Sequence, residues 1–344
     1  MIREKVILIT GANGEVGHGL IRRLYDLPSA PPVVVLDINE LDRTVSGYVR
    51  EAITGDILDD GLLNRLAEQY EIDAIYHLAA LLSTSAERQP ERAHRVNVEG
   101  TMNLLRLASA EAGQRGEPVK FIFPSSIAVY GMADIAEKHA APPISEDQHL
   151  NPITMYGCNK LYCEHVGRYY SQHYRQLATD GRGAGVDFRA LRFPGLISAL
   201  TTPSGGTSDY APEIIHAAAA GEAHSAFVRP DTTIPFMMMP DAVDALLALA
   251  DVRRERLTRT VYNVSAFSLS AEQIAERVRV HFPSARIDYA PDAGRQRVVD
   301  SWPARLDDRR ARQDWGWSPV YDAERAFSDY LIPMITARYQ SGSA

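Results

Sequence analysis

Short, uniformly apolar runs alternate with segments of helical periodicity through the first half of the chain. They read KVILIT, GLIRRLYDL, VVVLD, GLLNRLAEQY, AIYHLAA, a helix from about Ala93 to Ala112, VKFIFPSS, and a helix opening at Tyr156. A strand with one wet face alternates apolar and polar positions, and these runs do not, so both faces are expected to be covered. Buried strands interleaved with helices predict an α/β fold with a doubly wound parallel (Rossmann) sheet.

After about Val186 the texture changes. DFRALRFPG reads as one more strand, TTPSGGTSDYAPEI as a long polar loop, and RTVYNVS as another strand. SAEQIAERVRVHF reads as a helix capped at Ser270, and DDRRARQDWGWSP as a helix closed by Gly316 and Pro319. The expected organisation is a nucleotide-binding Rossmann domain over 1–185 and a smaller C-terminal α/β substrate lobe over 186–344. Segments near 187–195 and 260–265 are expected to return to the first sheet.

Composition narrows the function classes. The chain has 344 residues and a formal net charge of −8, with both signs spread along it; a basic footprint for nucleic acid is lacking. No apolar run approaches the length of a membrane-spanning helix, and MIREKVILIT is charged before it turns into a strand, unlike a secretory signal. Cys158 and Cys163 have neither disulfide nor metal-ligand spacing. A soluble, cytoplasmic protein without a membrane, nucleic-acid or metal partner is expected.

The first strand-turn-helix carries chemistry. Gly11, Gly14 and Gly17 in TGANGEVG follow a strand and open a helix, where a pyrophosphate meets backbone N–H groups and the positive end of the helix dipole. The spacing is G-x-x-G-x-x-G. Asp37 ends the second strand, where a carboxylate accepts from an adenosine ribose 2′-hydroxyl and repels a 2′-phosphate, favouring NAD over NADP; Arg43 is the nearby basic residue. Asp56 and Ile57 fall where an adenine lies, and Ala79 and Ala80 are small enough for close approach of a cofactor. Tyr156 and Lys160 lie four apart on one helix face.

These motifs, with NVEGT (Asn97–Thr101), PSSIAVYG (Pro124–Gly131) and YGCNK, resemble the extended short-chain dehydrogenase/reductase family in family order. The resemblance implies Tyr156 as acid/base, Lys160 as its electrostatic partner and ribose ligand, and Ser126 as the hydroxyl that orients the substrate oxygen. It implies an NAD site that also takes in Asn13, Glu15, Val16, Leu78, Asn97, Pro194 and Leu196, and a homodimer built from the helix after NVEGT and the Tyr156 helix. The chemistry agrees: a phenol of pKa about 10 is a poor base near neutrality until positive charge stabilises the phenolate.

The second half discriminates among family members. Ser126 is followed by Ile127 and Ala128 rather than the Asp-Glu pair of sugar dehydratases. LRFPGLIS carries Pro194 and Gly195 where sugar epimerases read an asparagine. Together with PSGGTSDYAPEI, VRPDTTIPFMMMPDAVDAL and VDSWPARLDDRRARQDWGW, it is similar to the epimerase-like L-threonine 3-dehydrogenases. That resemblance implies NAD-dependent oxidation of L-threonine, with a UDP-galactose-type 4-epimerase as the alternative. Substrate contacts are expected from Ser83, Gly195, Thr207, Asp209 and Trp302. Asp209 is placed equally well as a helix cap, Gly205 and Gly206 as a turn, Trp302 as core, and Arg229 with Asp231 as a structural ion pair.

Overall fold

A computed structural model describes residues 3–177, 185–203 and 205–341. Twelve strands are found among them: β1 (Glu4–Thr10), β2 (Val33–Asp37), β3 (Glu51–Thr54), β4 (Tyr70–His77), β5 (Val119–Ser126), β6 (Val186–Phe193), β7 (Gly195–Ile197), β8 (His224–Ala226), β9 (Thr233–Met238), β10 (Val261–Asn263), β11 (Phe267–Ser270) and β12 (Ile287–Tyr289). The main sheet has seven strands in the order β10-β6-β5-β4-β1-β2-β3. β1 pairs in parallel with β2 and β4, β2 with β3, and β4 with β5. The strand order reverses between β1 and β4, which in a doubly wound sheet opens a crevice beyond the strand ends. The fold is the α/β Rossmann type, and the uniformly buried pattern of β2 (Val33–Asp37) and β6 (Val186–Phe193) accounts for it.

The chain divides into two compact units. The first holds Met1–Ser125, Cys158–Arg192 and Val243–Tyr262, and the second Ser126–Gly157, Phe193–Ala242 and Asn263–Ala344. In the first, the core runs from Leu8, Val34 and Ile75 on the sheet to Leu104, Leu105 and Ala108 on the helix Gly100–Arg115. In the second, β9 pairs antiparallel with β11 and parallel with β7, and a two-stranded parallel sheet joins β8 to β12.

Several local expectations are met in detail. Ser270 and Gln273 form a reciprocal capping box on the helix Ala271–His281, and Gly316 closes the helix Arg309–Trp315 in the left-handed region. The helix expected from about Ala93 to Ala112 differs. It begins at Pro90, passes through one π turn over Arg95–Glu99, and only then becomes the α-helix Gly100–Arg115. A π turn has nearly the apolar periodicity of the α-helix around it, so the pattern reads as continuous.

The Gly-rich turn is held by backbone proximity. A Cβ on Gly11, at φ +69°, would stand 2.5 Å from the Ala79 nitrogen, and one on Gly17 would stand 2.3 Å from the Ala12 carbonyl oxygen. Gly11 thus seats the end of β1 against the segment after β4, and Gly17 seats the helix Glu15–Tyr25 on its own turn. Gly17→Ala is expected to destabilise the protein by about 2 kcal/mol in denaturant unfolding, the usual cost of overpacking a tight contact; an unchanged midpoint and slope would show that the turn yields freely.

Candidate active site

The crevice of the first unit is a cleft of about 620 Å³. Its walls include Gly11, Asn13 and Gly14 from the first turn, Asp37 from β2, Asp56 and Ile57 after β3, and Leu78, Ala79 and Ala80 after β4. Nine of the expected cofactor residues therefore meet in one place. Glu15, Val16 and Gly17 lie in the first turn of the helix behind it, and do not line the cleft. Pro194, Gly195 and Leu196 lie in the second unit, where a Cβ on Gly195 would approach the Phe236 ring to 2.8 Å.

Asp37 is nearly buried, and each of its oxygens accepts one backbone N–H at 2.9 Å, from Asn13 and from Asn39. A carboxylate oxygen has two acceptor sites, so the group keeps capacity for ribose hydroxyls while fixing the turn. Asn13 extends this brace by donating from its amide to the Glu40 carbonyl at 2.7 Å and accepting from the Asp42 N–H at 2.9 Å. Gly14 stands at the cap of the helix Glu15–Tyr25, the positive end of the helix dipole, where an anion is favoured. The cleft therefore fits a dinucleotide at both its acidic ribose end and its phosphate end.

Arg92 and Arg95 also line this cleft, from the helix Pro90–His94 and the π turn. Neither is legible from sequence, because charges on an exposed helix face look like ordinary solvated surface. Asn97 enters differently from the expected ligand role. Its carboxamide grips the backbone of Leu81, accepting the N–H at 2.8 Å and donating to the carbonyl at 3.0 Å, and it also donates to Asn159 at 3.3 Å. Leu81 lines the cleft, so Asn97 shapes that wall.

His77 went unnoticed within HLAA. Its ring is buried at the end of β4, with Nδ1 2.8 Å from the Thr10 hydroxyl and Nε2 2.9 Å from the Thr101 hydroxyl. Burial, helped by the Lys160 charge, pushes its pKa down to about 3. It is a neutral tie joining β1, β4 and the helix Gly100–Arg115, immediately before Leu78.

The catalytic candidates sit on two adjoining pieces of chain. Ser126 ends β5 and caps the turn Ile127–Val129, its Oγ accepting from the Ala128 N–H at 3.1 Å. It also hydrogen-bonds the Tyr156 phenol. The bond lowers the phenol pKa, the effect of a Ser126 O–H that donates to the phenolate oxygen. Ser126 thus both caps the backbone turn and bonds the Tyr156 phenol. Ser125, by contrast, bonds the buried Glu164 at 2.5 Å, as a structural hydroxyl.

Tyr156 opens the helix Met155–Gln172, with Thr154 accepting from the Gly157 N–H at 3.1 Å. Burial raises the phenol pKa above its ordinary value, and the Ser126 hydrogen bond counters part of that shift. Lys160 follows one turn later, 4% exposed, with Nζ donating to the Pro124 carbonyl at 2.7 Å and lying 4.3 Å from the centre of the Phe123 ring. Burial lowers its pKa to about 8, against the attraction of Cys163 and Glu164.

The expected substrate contacts fall in both units. Ser83 begins the short helix Ser83–Arg88 in the first. In the second, Thr207 is buried and Trp302 is 5% exposed, just past the helix Ala293–Asp300. Asp209 occupies the cap position of the helix Tyr210–Ala220 without capping it. Its carboxylate instead accepts from the Gly205 and Gly206 N–H groups at 2.9 and 2.7 Å. Arg229 pairs with Asp231 at 3.1 Å and with Asp300 at 2.8 Å, a structural set.

The Rossmann sheet and its dinucleotide cleft are those of a nucleotide-dependent enzyme. The chain belongs to the NAD dependent epimerase/dehydratase family, whose model matches residues 7–265, and its cofactor is NAD. It is 36% identical to an uncharacterised epimerase/dehydratase of Staphylococcus haemolyticus over 97% of this chain and 99% of that one. Among solved structures it is similar to the L-threonine dehydrogenase of Clostridium difficile, at TM-score 0.85 and 31% identity, covering 98% of this chain and 99% of that one. The L-threonine 3-dehydrogenase of Trypanosoma brucei gives TM-score 0.84 and 33% identity over 96% and 98%.

Asp37→Ala is expected to raise the NAD dissociation constant about tenfold or more, since a charge-assisted hydrogen bond to the ribose is lost and the Asn13 turn loosens. Calorimetric titration checks this, and NAD affinity equal to that of the parent protein would remove Asp37 from the ribose site.

Proposed function

We propose that this chain oxidises the side-chain alcohol of L-threonine with NAD, giving 2-amino-3-oxobutanoate and NADH. The observation that carries the reading is the near-complete overlap, in sequence span and fold, with solved L-threonine dehydrogenases. Pro194 and Gly195 after β6, with a hydroxyl-bearing loop at Thr207, support a small polar substrate over a nucleotide sugar.

In this reading Ser126 orients the substrate hydroxyl and Tyr156 takes its proton. Bound NAD supplies the hydride acceptor and a positive charge. Lys160, held by Pro124 and set over Phe123, has few routes to move its ammonium away, and its field favours the phenolate. The phenol is protonated at neutrality without such charge, so activity should climb toward alkaline pH as phenolate forms. Gly11, Asn13, Gly14, Asp37 and Asp56 hold the adenosine and phosphate parts of NAD, and Ala79 and Ala80 let it approach the backbone.

A homodimer, a cytoplasmic location and a role in threonine catabolism belong to the same reading. The dimer is supported by the exposed Cys158, Tyr162 and Tyr169, which share one face of the helix Met155–Gln172. Light scattering tests it directly, and a solved neighbour described as a monomeric L-threonine 3-dehydrogenase makes that measurement necessary.

Purified protein with NAD and L-threonine should produce NADH absorbance, with kcat/KM rising from pH 6 to about 8, above which the Lys160 amine loses the charge that favours the phenolate. Tyr156→Phe should lower turnover by about 10² to 10⁴ while leaving NAD binding nearly intact. Absence of NADH with threonine, together with interconversion of UDP-glucose and UDP-galactose, would move the assignment to a 4-epimerase, an activity class within the family's name.

A further inference from the structure

The short helix Ala293–Asp300 meets several separate segments of the second unit. Gln296 accepts from the Arg229 N–H at 2.7 Å, and Asp300 takes two nitrogens of the Arg229 guanidinium at 2.8 and 3.0 Å. At its far end, the Val299 carbonyl accepts from the buried Lys138 ammonium at 2.9 Å, and the Ser301 carbonyl from the Met132 N–H at 2.8 Å. The helix is therefore a fixed bar, and Trp302 follows directly from it.

Arg295, on the first turn of this helix, reaches a different place. Its Nη2 donates to the Gly206 carbonyl at 2.6 Å, and its guanidinium lies 3.2 Å from the centre of the Phe227 ring. Glu213, Asp209 and Asp292 surround it with negative charge. A half-buried guanidinium needs such company, because desolvation penalises the charge and a ring face, a carbonyl and carboxylates offset that.

The peptide it holds belongs to a turn built on two successive glycines. Gly205 sits at φ +90°, and a Cβ on Gly206 would come within 2.7 Å of the Asp209 carboxylate. Two successive glycines lose much conformational freedom when fixed. Asp209 closes the turn from one side through the Gly205 and Gly206 N–H groups, and Arg295 secures it through the Gly206 carbonyl. Thr207, the next residue, is buried.

We propose that Arg295 is a positioning residue for the substrate: by fixing the Gly206 peptide it aims Thr207 at the amino-acid ligand, from the same helix that fixes Trp302. This rests on the reading of Thr207 as a substrate contact in a threonine-oxidising site. Arg295 touches neither substrate nor cofactor in this role.

Arg295→Gln and Arg295→Lys, studied as full-length protein saturated with NAD, test it with three readouts. Amide hydrogen exchange reports the order of Gly205–Asp209, steady-state kinetics separates KM from kcat, and fluorescence titration gives NADH affinity. Arg295→Gln should speed exchange in that segment and raise KM for L-threonine about tenfold or more, with kcat changed by less than about threefold and NADH binding unchanged. Arg295→Lys should recover part of the loss, since the charge remains while the flat stacking face does not.

Unchanged exchange in Gly205–Asp209 overturns the anchor. Faster exchange with KM unchanged overturns the positioning role, as do equal losses in KM, kcat and NADH affinity, which mark a general structural defect. Should Arg295→Gln fail to fold, Phe227→Leu removes the stack while keeping the guanidinium, and the same outcomes decide. If the parent protein does not oxidise threonine, the proposed function fails on that arm alone, while the exchange measurement still decides whether Arg295 orders the turn.

Discussion

Two stretches of backbone can approach closely only where no Cβ stands between them, and the meeting of Ser126 with Tyr156 depends on one such approach. A Cβ on Gly157 would lie 2.1 Å from the Ala128 carbonyl oxygen and 2.8 Å from Pro152. That contact seats the start of the helix Met155–Gln172 on the turn that follows Ser126, which puts the Tyr156 phenol within hydrogen-bonding reach of the Ser126 hydroxyl. Gly131, whose Cβ would run into the Asn151 carbonyl at 1.7 Å, brings together the two ends of the segment between them. The glycine inside YGCNK is thus a geometric requirement of the Tyr156–Ser126 contact.

Charge and burial then divide the work. Tyr156 is held toward the neutral phenol by burial, and Lys160 sets its amine against the Pro124 carbonyl and the Phe123 ring. Carboxylates are instead spent on backbone: Asp37 on Asn13 and Asn39, and Asp209 on Gly205 and Gly206. A carboxylate bonded to N–H groups braces a turn firmly, because a charge-assisted bond is about twice as strong as a neutral one. The same device therefore shapes the adenosine end of the cleft in one unit and the Gly-rich turn in the other.

What the sequence made legible follows local rules. Uniformly apolar strands, a Gly-rich turn, an acid at the end of β2 and a capping box each depend on residues near one another in the chain. Nine expected cofactor residues line one cleft for that reason. The π turn over Arg95–Glu99 was hidden by its helix-like periodicity, and Arg92 and Arg95 by their resemblance to solvated surface. Asp209 sits where a cap belongs, yet it turns its carboxylate back into the loop, a choice made by the two glycine N–H groups. Arg295 and Gly206 stand 89 residues apart, and His77 is joined to Thr10 and Thr101 across 67 and 24 residues, distances over which no periodicity carries information.

His77 has one more consequence. Its imidazole stays uncharged far below neutrality, so the wall that leads into Leu78, Ala79 and Ala80 presents the same electrostatic face from weakly acid to alkaline pH. A histidine titrating near 6.5 at that place would superimpose its own transition on any acid limb. With that transition moved out of the window, the ionisation seen in a rate profile is free to report on the proton-transfer machinery, and the strand-end histidine serves the enzyme by its silence.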